Sequence, residues 1–181
     1  MIRPWRITQS KTALDGRIFK VRCDTAVNPR TDRPHDMYVL EQADWVNVIP
    51  LTADDYVVMI EQWRHGTRTV ELETPGGLLE PNESFDAAGR RELLEETGYA
   101  PEQIIHLGTV YPNPAIQSNR QHYLLAKGCR KVADLDLDHA EDIVVRLVPF
   151  AEVPQLIQAG QIMHGIVIGG FYWLDLRRSE R

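Results

Sequence analysis

Within the stretch PGGLLEPNESFDAAGRRELLEETGY, Pro75 to Tyr99, the glutamates Glu92, Glu95 and Glu96 fall within five residues, directly behind Arg90 and Arg91. On a helix, residues three and four apart share a face, so the three carboxylates would lie together. Like charges at that spacing repel by roughly 0.2–0.5 kcal/mol per pair. Near a helix C-terminus the macrodipole disfavours anions further. A triple of this kind is ordinarily a solvated helical face. The alternative is that hard divalent cations, which take several oxygen ligands, turn the repulsion into coordination. Arg91 stands four residues before Glu95 and can pair with it, so that one carboxylate is oriented rather than free. Just ahead, Pro75-Gly76-Gly77 can take backbone geometries barred to other residues and bring a carbonyl oxygen to a cation held by the helix.

These side chains need a strand, a loop and a helix to hold them. TVELET (69–74) reads as a strand leading into Pro75, and a helix is expected from about Ser84 to Thr97. Ser84 suits its N-cap, and Gly98 stands where a left-handed C-terminal residue belongs. Further strands are expected at 45–52, 56–64, near 104–112, 120–128 and 142–150, with a helix over 151–160. The segment IMHGIVIGGFYWLDL, with its three glycines, reads as a buried C-terminal helix or strand–helix element. In the first part, 16–27 alternates like a strand, NPRTDRPHD is a turn and MYVLEQ a return strand. The pattern is α+β, with a mixed sheet and few helices. It divides into an N-terminal β extension, 1–44, and a main domain, 45–181.

The bulk composition sets bounds. The chain has 181 residues, 43% hydrophobic and 25% charged, with a formal net charge of −6. That balance suits a globular domain and opposes binding to nucleic acid phosphates, though bound cations can invert the local field for a small anionic substrate. Cys23 and Cys129 are far apart and in no CxxC pattern, which fits a reducing cytoplasm rather than a disulfide framework. The N-terminus shows no apolar signal region, and the longest apolar run is too short to span a bilayer, so no membrane association is expected.

Gly77, five residues, Glu83, seven residues, then Arg91-Glu92-Leu93-Leu94-Glu95-Glu96-Thr97-Gly98-Tyr99 resembles the Nudix box, G-x5-E-x7-R-E-U-x-E-E-x-G-U, with U bulky and apolar. Every fixed letter matches over 23 residues, and Tyr99 replaces the more usual aliphatic at the last position. The flanks resemble the branch that cleaves ADP-ribose and related nucleoside diphosphate sugars. They supply the triplet Gln62-Trp63-Arg64, the approach Glu73-Thr74-Pro75-Gly76-Gly77, and Pro114 about fifteen residues beyond the box. The resemblance implies an α/β/α sandwich around a mixed sheet, with an N-terminal β extension that builds a homodimer. It also implies hydrolysis of a diphosphate linkage in a small nucleoside diphosphate compound, with two or three Mg²⁺ or Mn²⁺ ions. Metals neutralise the charge that repels a nucleophile from a phosphate ester, and lower the pKa of a bound water.

On the same resemblance Glu92, Glu95 and Glu96 bind metal, with the Gly76 carbonyl as a further ligand. Arg91 orients the acidic face, and Glu83 is either structural or a solvated acid at the helix start. The general base is expected in the acidic loop 134–145, with Glu141 aligning best and Asp142 and Asp138 as rivals. Glu73 and Arg64 fall among the substrate-binding residues, Arg64 for its planar fork on phosphate oxygens. Trp63 either stacks on a base or packs in the core, with core favoured. The loop after Tyr111 departs from the pattern: Ser118-Asn119-Arg120 stands where an acidic residue is usual. Arg120 is therefore a candidate for a phosphate or sugar hydroxyl, and Gln117 or Asn119 for a base or sugar. The departure leaves GDP-mannose or another nucleotide sugar open beside ADP-ribose. Other Nudix substrates (a dinucleotide, a triphosphate, a capped RNA) and a non-catalytic ligand sensor are the remaining alternatives. None of the six histidines is assigned a role.

Overall fold

The computed structural model describes residues 1–179. Two compact units form, one from Met1–Asp44 with Tyr111–Arg120, the other from Trp45–Val110 with the chain from Gln121 onward. In the larger unit, β4 (Trp45–Thr52) runs parallel to β9 (Gln121–Lys131) at the centre of a mixed sheet. Both strands are buried along most of their length, as expected where both faces of a parallel pair are covered. Their alternation assigns the faces. Val46, Val48, Leu124 and Ala126 meet Ala88 and Leu93 of α1 (Phe85–Thr97). Ile49, Leu51 and Leu125 meet Val167, Phe171 and Leu174 of α3 (Gly165–Ser179), with Val153 at the start of α2 (Val153–Gln158) in the same cluster. This is the α/β/α sandwich, and the C-terminal apolar segment is the helix of its second outer layer.

The edges of this sheet matter for the site. β5 (Tyr56–Arg64) pairs with β10 (Ile143–Pro149) along one side. On its other side β5 pairs with β4 at Leu51–Val57, then diverges and pairs with β6 (Thr69–Glu73). The fork between β4 and β5 is filled by the segment after β6. There the Pro75 and Gly77 carbonyls accept from the Val48 and Val46 N–H groups at 2.8 and 2.9 Å. β7 (Tyr99–Ala100) and β8 (Gln103–Val110) both pair with β9.

In the smaller unit, β1 (Arg6–Asp15), β2 (Lys20–Val27) and β3 (Pro34–Glu41) form a three-stranded antiparallel sheet. β2 and β3 are the expected hairpin. β1 is a strand that sequence patterning does not reveal, because every residue of it is exposed and no apolar alternation marks it. Loop 111–120 joins this unit through the Leu40 N–H on the Ile116 carbonyl at 2.7 Å and the Ser118 N–H on the Leu40 carbonyl at 3.1 Å. Among the described residues no helix is long and apolar enough to cross a membrane.

Candidate active site

Helix α1 begins where the Ser84 hydroxyl accepts from the Ala87 N–H and ends at Gly98, whose φ of 73° is left-handed and whose N–H reaches the Leu94 carbonyl. The Gly98 carbonyl accepts from the Val132 and Ala133 N–H groups, and the Glu95 carbonyl from the Asp136 N–H at 2.9 Å. The acidic loop after β9 is thereby tied to the C-terminal turn of the helix.

Arg91 is the hub of the acidic face. Its Nε and Nη2 donate to the two oxygens of Glu83 at 3.0 Å each, and Nη2 also reaches the Leu78 carbonyl at 3.1 Å. Its Nη1 donates to Glu92 at 2.9 Å and Glu95 at 3.1 Å. Glu83 thus anchors the arginine that orients two other carboxylates, and the reading of Glu83 as a merely solvated acid fails. Glu96 points the other way, accepting from the Gly76 N–H at 3.0 Å.

The two glycines ahead of the helix are required by close approach. A Cβ on Gly76 would stand 2.3 Å from the Val46 carbonyl oxygen, and one on Gly77 would stand 2.3 Å from Glu92 Oε1. Asn47 and Thr74 lock the same segment, with the Thr74 hydroxyl on Asn47 Oδ1 at 3.0 Å and Asn47 Nδ2 on the Thr74 carbonyl at 3.3 Å. Pro75 and Gly77 turn their carbonyls toward β4, while the N–H of Gly76 between them reaches Glu96.

The electrostatics of the face are unfavourable as it stands. Glu96 is 3% exposed, and burial pushes its carboxyl well above the usual range; the Gly76 N–H opposes the rise, while the charges of Glu92 and Glu141 add to it. Burial likewise raises Glu92, with Arg91 pulling back and Glu95 and Glu141 pushing up. Of the three base candidates, Glu141 stands among the leading charges that act on both glutamates. It closes a turn with Asp138, accepting that residue's N–H at 2.9 Å, while its own N–H donates to the Asp138 carbonyl. Among the described residues no three acidic, histidine or cysteine side chains converge as a ready-made cage. The donor set nonetheless suits a hard divalent cation: carboxylates on one helical face, with the Gly76 carbonyl as a further candidate oxygen.

Arg64 ends β5 beside this face. It makes a two-point pair with Glu73, Nε to Oε1 at 2.6 Å and Nη2 to Oε2 at 2.8 Å. Glu73, expected among the substrate-binding residues, is 2% exposed and has both oxygens occupied by Arg64. Its second partner is His164, Nδ1 to Oε2 at 2.6 Å, a residue to which sequence reasoning gave no role. Burial opposes the charge on Glu73, but the Arg64 and His164 hydrogen bonds outweigh it and hold the carboxyl at about 2. Trp63 is 49% exposed, opposite exposed Val70 on β6, which overturns the expectation that it packs in the core. Arg120 lies in the smaller unit, exposed, its N–H on Asp44 Oδ1 at 2.7 Å. Asn119 in the same loop is buried; its Oδ1 accepts from Gln42, and among the described residues its Nδ2 has no partner.

The sequence profile of the NUDIX domain matches residues 42–167. This chain belongs to the NUDIX family. Over 174 residues it is 30% identical to the methanol dehydrogenase activator of Bacillus methanolicus, covering 94% of this chain and 92% of that protein. It is 24% identical over 135 residues to the ADP-ribose pyrophosphatase of Bacillus subtilis, covering 74% and 73%. Its fold matches that of a solved ADP compounds hydrolase with a TM-score of 0.87 over 99% of this chain and 97% of the other, at 20% identity. The chain is a Nudix hydrolase related to the ADP-ribose pyrophosphatases.

Proposed function

We propose that this Nudix hydrolase cleaves the diphosphate linkage of ADP-ribose or a related nucleoside diphosphate sugar, giving a nucleoside monophosphate and a sugar phosphate, with two or three Mg²⁺ or Mn²⁺ ions. The observation that carries the reading is the pair of buried glutamates, Glu92 and Glu96, whose ionised forms are disfavoured by burial and by neighbouring carboxylates, Glu95 and Glu141 for Glu92, Glu92 and Glu141 for Glu96. Placed on the face that also holds Glu95 and the Gly76 carbonyl, they supply what a divalent cation needs and little that the fold needs. Bound there, such ions offset diphosphate charge and activate water. Glu92, Glu95, Glu96 and Gly76 are the ligands in this reading. Arg91, held by Glu83, presents Glu92 and Glu95. Glu141 takes the proton from the attacking water, from a loop tied to the end of the same helix. Arg64 holds a phosphate with the edge of its fork that Glu73 leaves free. Exposed Trp63 offers a stacking surface for a base.

GDP-mannose is the second reading. It is favoured by loop 117–120, where Ser118-Asn119-Arg120 carries no acid and Asn119 has a donor without a partner among the described residues. The deciding experiment is a panel of nucleoside diphosphate sugars, dinucleotides and triphosphates with Mg²⁺, products resolved by chromatography. AMP or GMP plus a sugar phosphate is expected. Triphosphates alone being cleaved, or no cleavage at all, would overturn the reading.

The smaller unit supports a homodimer. Ile7, Leu14, Met37 and Tyr38 are exposed on a sheet that has β1 as a fully solvated edge strand, a combination that favours pairing with a second copy. Light scattering at micromolar concentration should give twice the 20.7 kDa chain mass; a monomer there discards the proposal.

A further inference from the structure

We propose that His164 is a positioning residue for Arg64: acting through Glu73, it fixes the guanidinium in the orientation that meets a substrate phosphate. The inference rests on the phosphate role given to Arg64 above and names the residue that role depends on.

The geometry is a three-member clamp. The buried Glu73 carboxylate takes Arg64 Nε on one oxygen, and Arg64 Nη2 together with His164 Nδ1 on the other. An ionised carboxylate only accepts, so Nδ1 carries the hydrogen. The carboxyl torsion of a glutamate is broad and two-fold, and a fork-to-fork pair with arginine holds only while both oxygens stay in the guanidinium plane. Among the described residues His164 supplies the one side-chain hydrogen bond to Glu73 that does not come from Arg64 itself, and so stops the pair from rotating as a unit.

His164 is in turn held from the far side of the sheet. Its carbonyl accepts from the Ile168 N–H at 3.1 Å, which opens α3, and α3 is anchored through buried Val167, Phe171 and Leu174. Glu73 sits opposite Ile60 on β5, the strand that ends in Arg64. The clamp therefore ties the end of β5, the end of β6 and the start of α3 at one point.

Two further observations show why Arg64 needs such a hold. The negative charge of Glu96 acts on Arg64 as well as that of Glu73, so an untethered guanidinium would swing toward the acidic face and occupy carboxylates meant for cations. Among the described residues Arg64 Nη1 has no acceptor, and the side chain is 42% exposed. One edge of the fork is committed to Glu73, and the other is open for two phosphate oxygens.

The test uses the full chain with Mg²⁺ and the best substrate of the panel. His164→Asn, whose amide nitrogen can occupy the Nδ1 position, should keep KM and kcat within threefold of wild type. His164→Leu should raise KM about tenfold with kcat within threefold, the signature of lost binding common to ground and transition states. His164→Gln, whose amide reaches the Nε2 position instead, should behave like the leucine variant and serves if that one does not fold. Arg64→Ala is the reference and should raise KM at least as much. If His164→Leu lowers Tm but leaves KM unchanged while Arg64→Ala raises it, His164 is only a clamp for α3 and the inference is overturned. If Arg64→Ala also leaves KM unchanged, the phosphate role of Arg64 falls and the inference falls with it.

Discussion

Replacing Gly77 with alanine separates the site from the fold with one methyl group. Gly77 is not in the left-handed region, so alanine incurs no backbone strain there. Its Cβ would stand 2.3, 2.6 and 2.8 Å from Oε1, Cδ and Oε2 of Glu92. Ordinary contact begins near 3.5 Å, so the carboxylate must withdraw by about 1 Å. The displaced group is the far end of a flexible side chain, and the shift is cheap for the fold. Alanine in place of glycine also restricts the unfolded chain, worth about 0.4–1 kcal/mol in the opposite direction. Stability should therefore change by less than about 1 kcal/mol. Misplacing a catalytic ligand by 1 Å costs on the order of 10²-fold in rate, equivalent to about 2.7 kcal/mol of barrier. The neighbouring substitution is the control. A Cβ on Gly76 meets the Val46 carbonyl at 2.3 Å and the Asn47 Cα at 3.0 Å, backbone atoms of a central strand that cannot yield. Thermal melts and Mg²⁺-dependent turnover on both variants decide the matter. Gly77→Ala should melt within a few degrees of wild type with kcat down about a hundredfold, and Gly76→Ala should lose stability outright. Wild-type kcat in Gly77→Ala would refute the claim that the position of Glu92 governs the rate.

Two other outcomes follow from the same geometry. Glu96→Gln keeps the shape and the Gly76 N–H contact while removing a charge that burial disfavours; it should melt at or above the wild-type temperature without metal and lose most turnover, and wild-type rates would remove Glu96 from the ligand set. Glu73, held at about 2 against an ordinary value of 4.5, contributes stability that is complete above about pH 4.5 and lost as pH falls through its folded value. With Arg64 nearly half exposed, the contribution is discounted to roughly 2 kcal/mol; urea melts of Glu73→Gln should show that loss at pH 7 and a flatter acid limb between pH 4.5 and 2, and an unchanged limb would contradict the pairing.

The acidic helix was legible because its signal is local: cap, spacing and terminating glycine all lie within one stretch, and α1 starts and ends beside Ser84 and Gly98 as expected. The central strands were legible because two covered faces leave continuous apolar runs. What escaped is what depends on distance or on exposure. Strand β1 has no buried side to mark it. His164 lies 91 residues from Glu73, and nothing near either announces the bond. Glu73 reads as one more acid approaching the glycine turn, yet lies buried between β5 and His164. Trp63 looked like core by residue type; it falls at the end of β5, past the run Val57–Ile60 that the helices cover.

The central claim, that the crowded carboxylates of α1 exist to hold divalent cations on a diphosphate, is tested most directly by titrating Mg²⁺ into chelator-treated protein and following release of nucleoside monophosphate from ADP-ribose or the best sugar nucleotide of the panel. The account predicts no release without metal and a saturable rise as Mg²⁺ is added. Release that is indifferent to Mg²⁺ and Mn²⁺, or none at any metal concentration with any diphosphate ester, would contradict it.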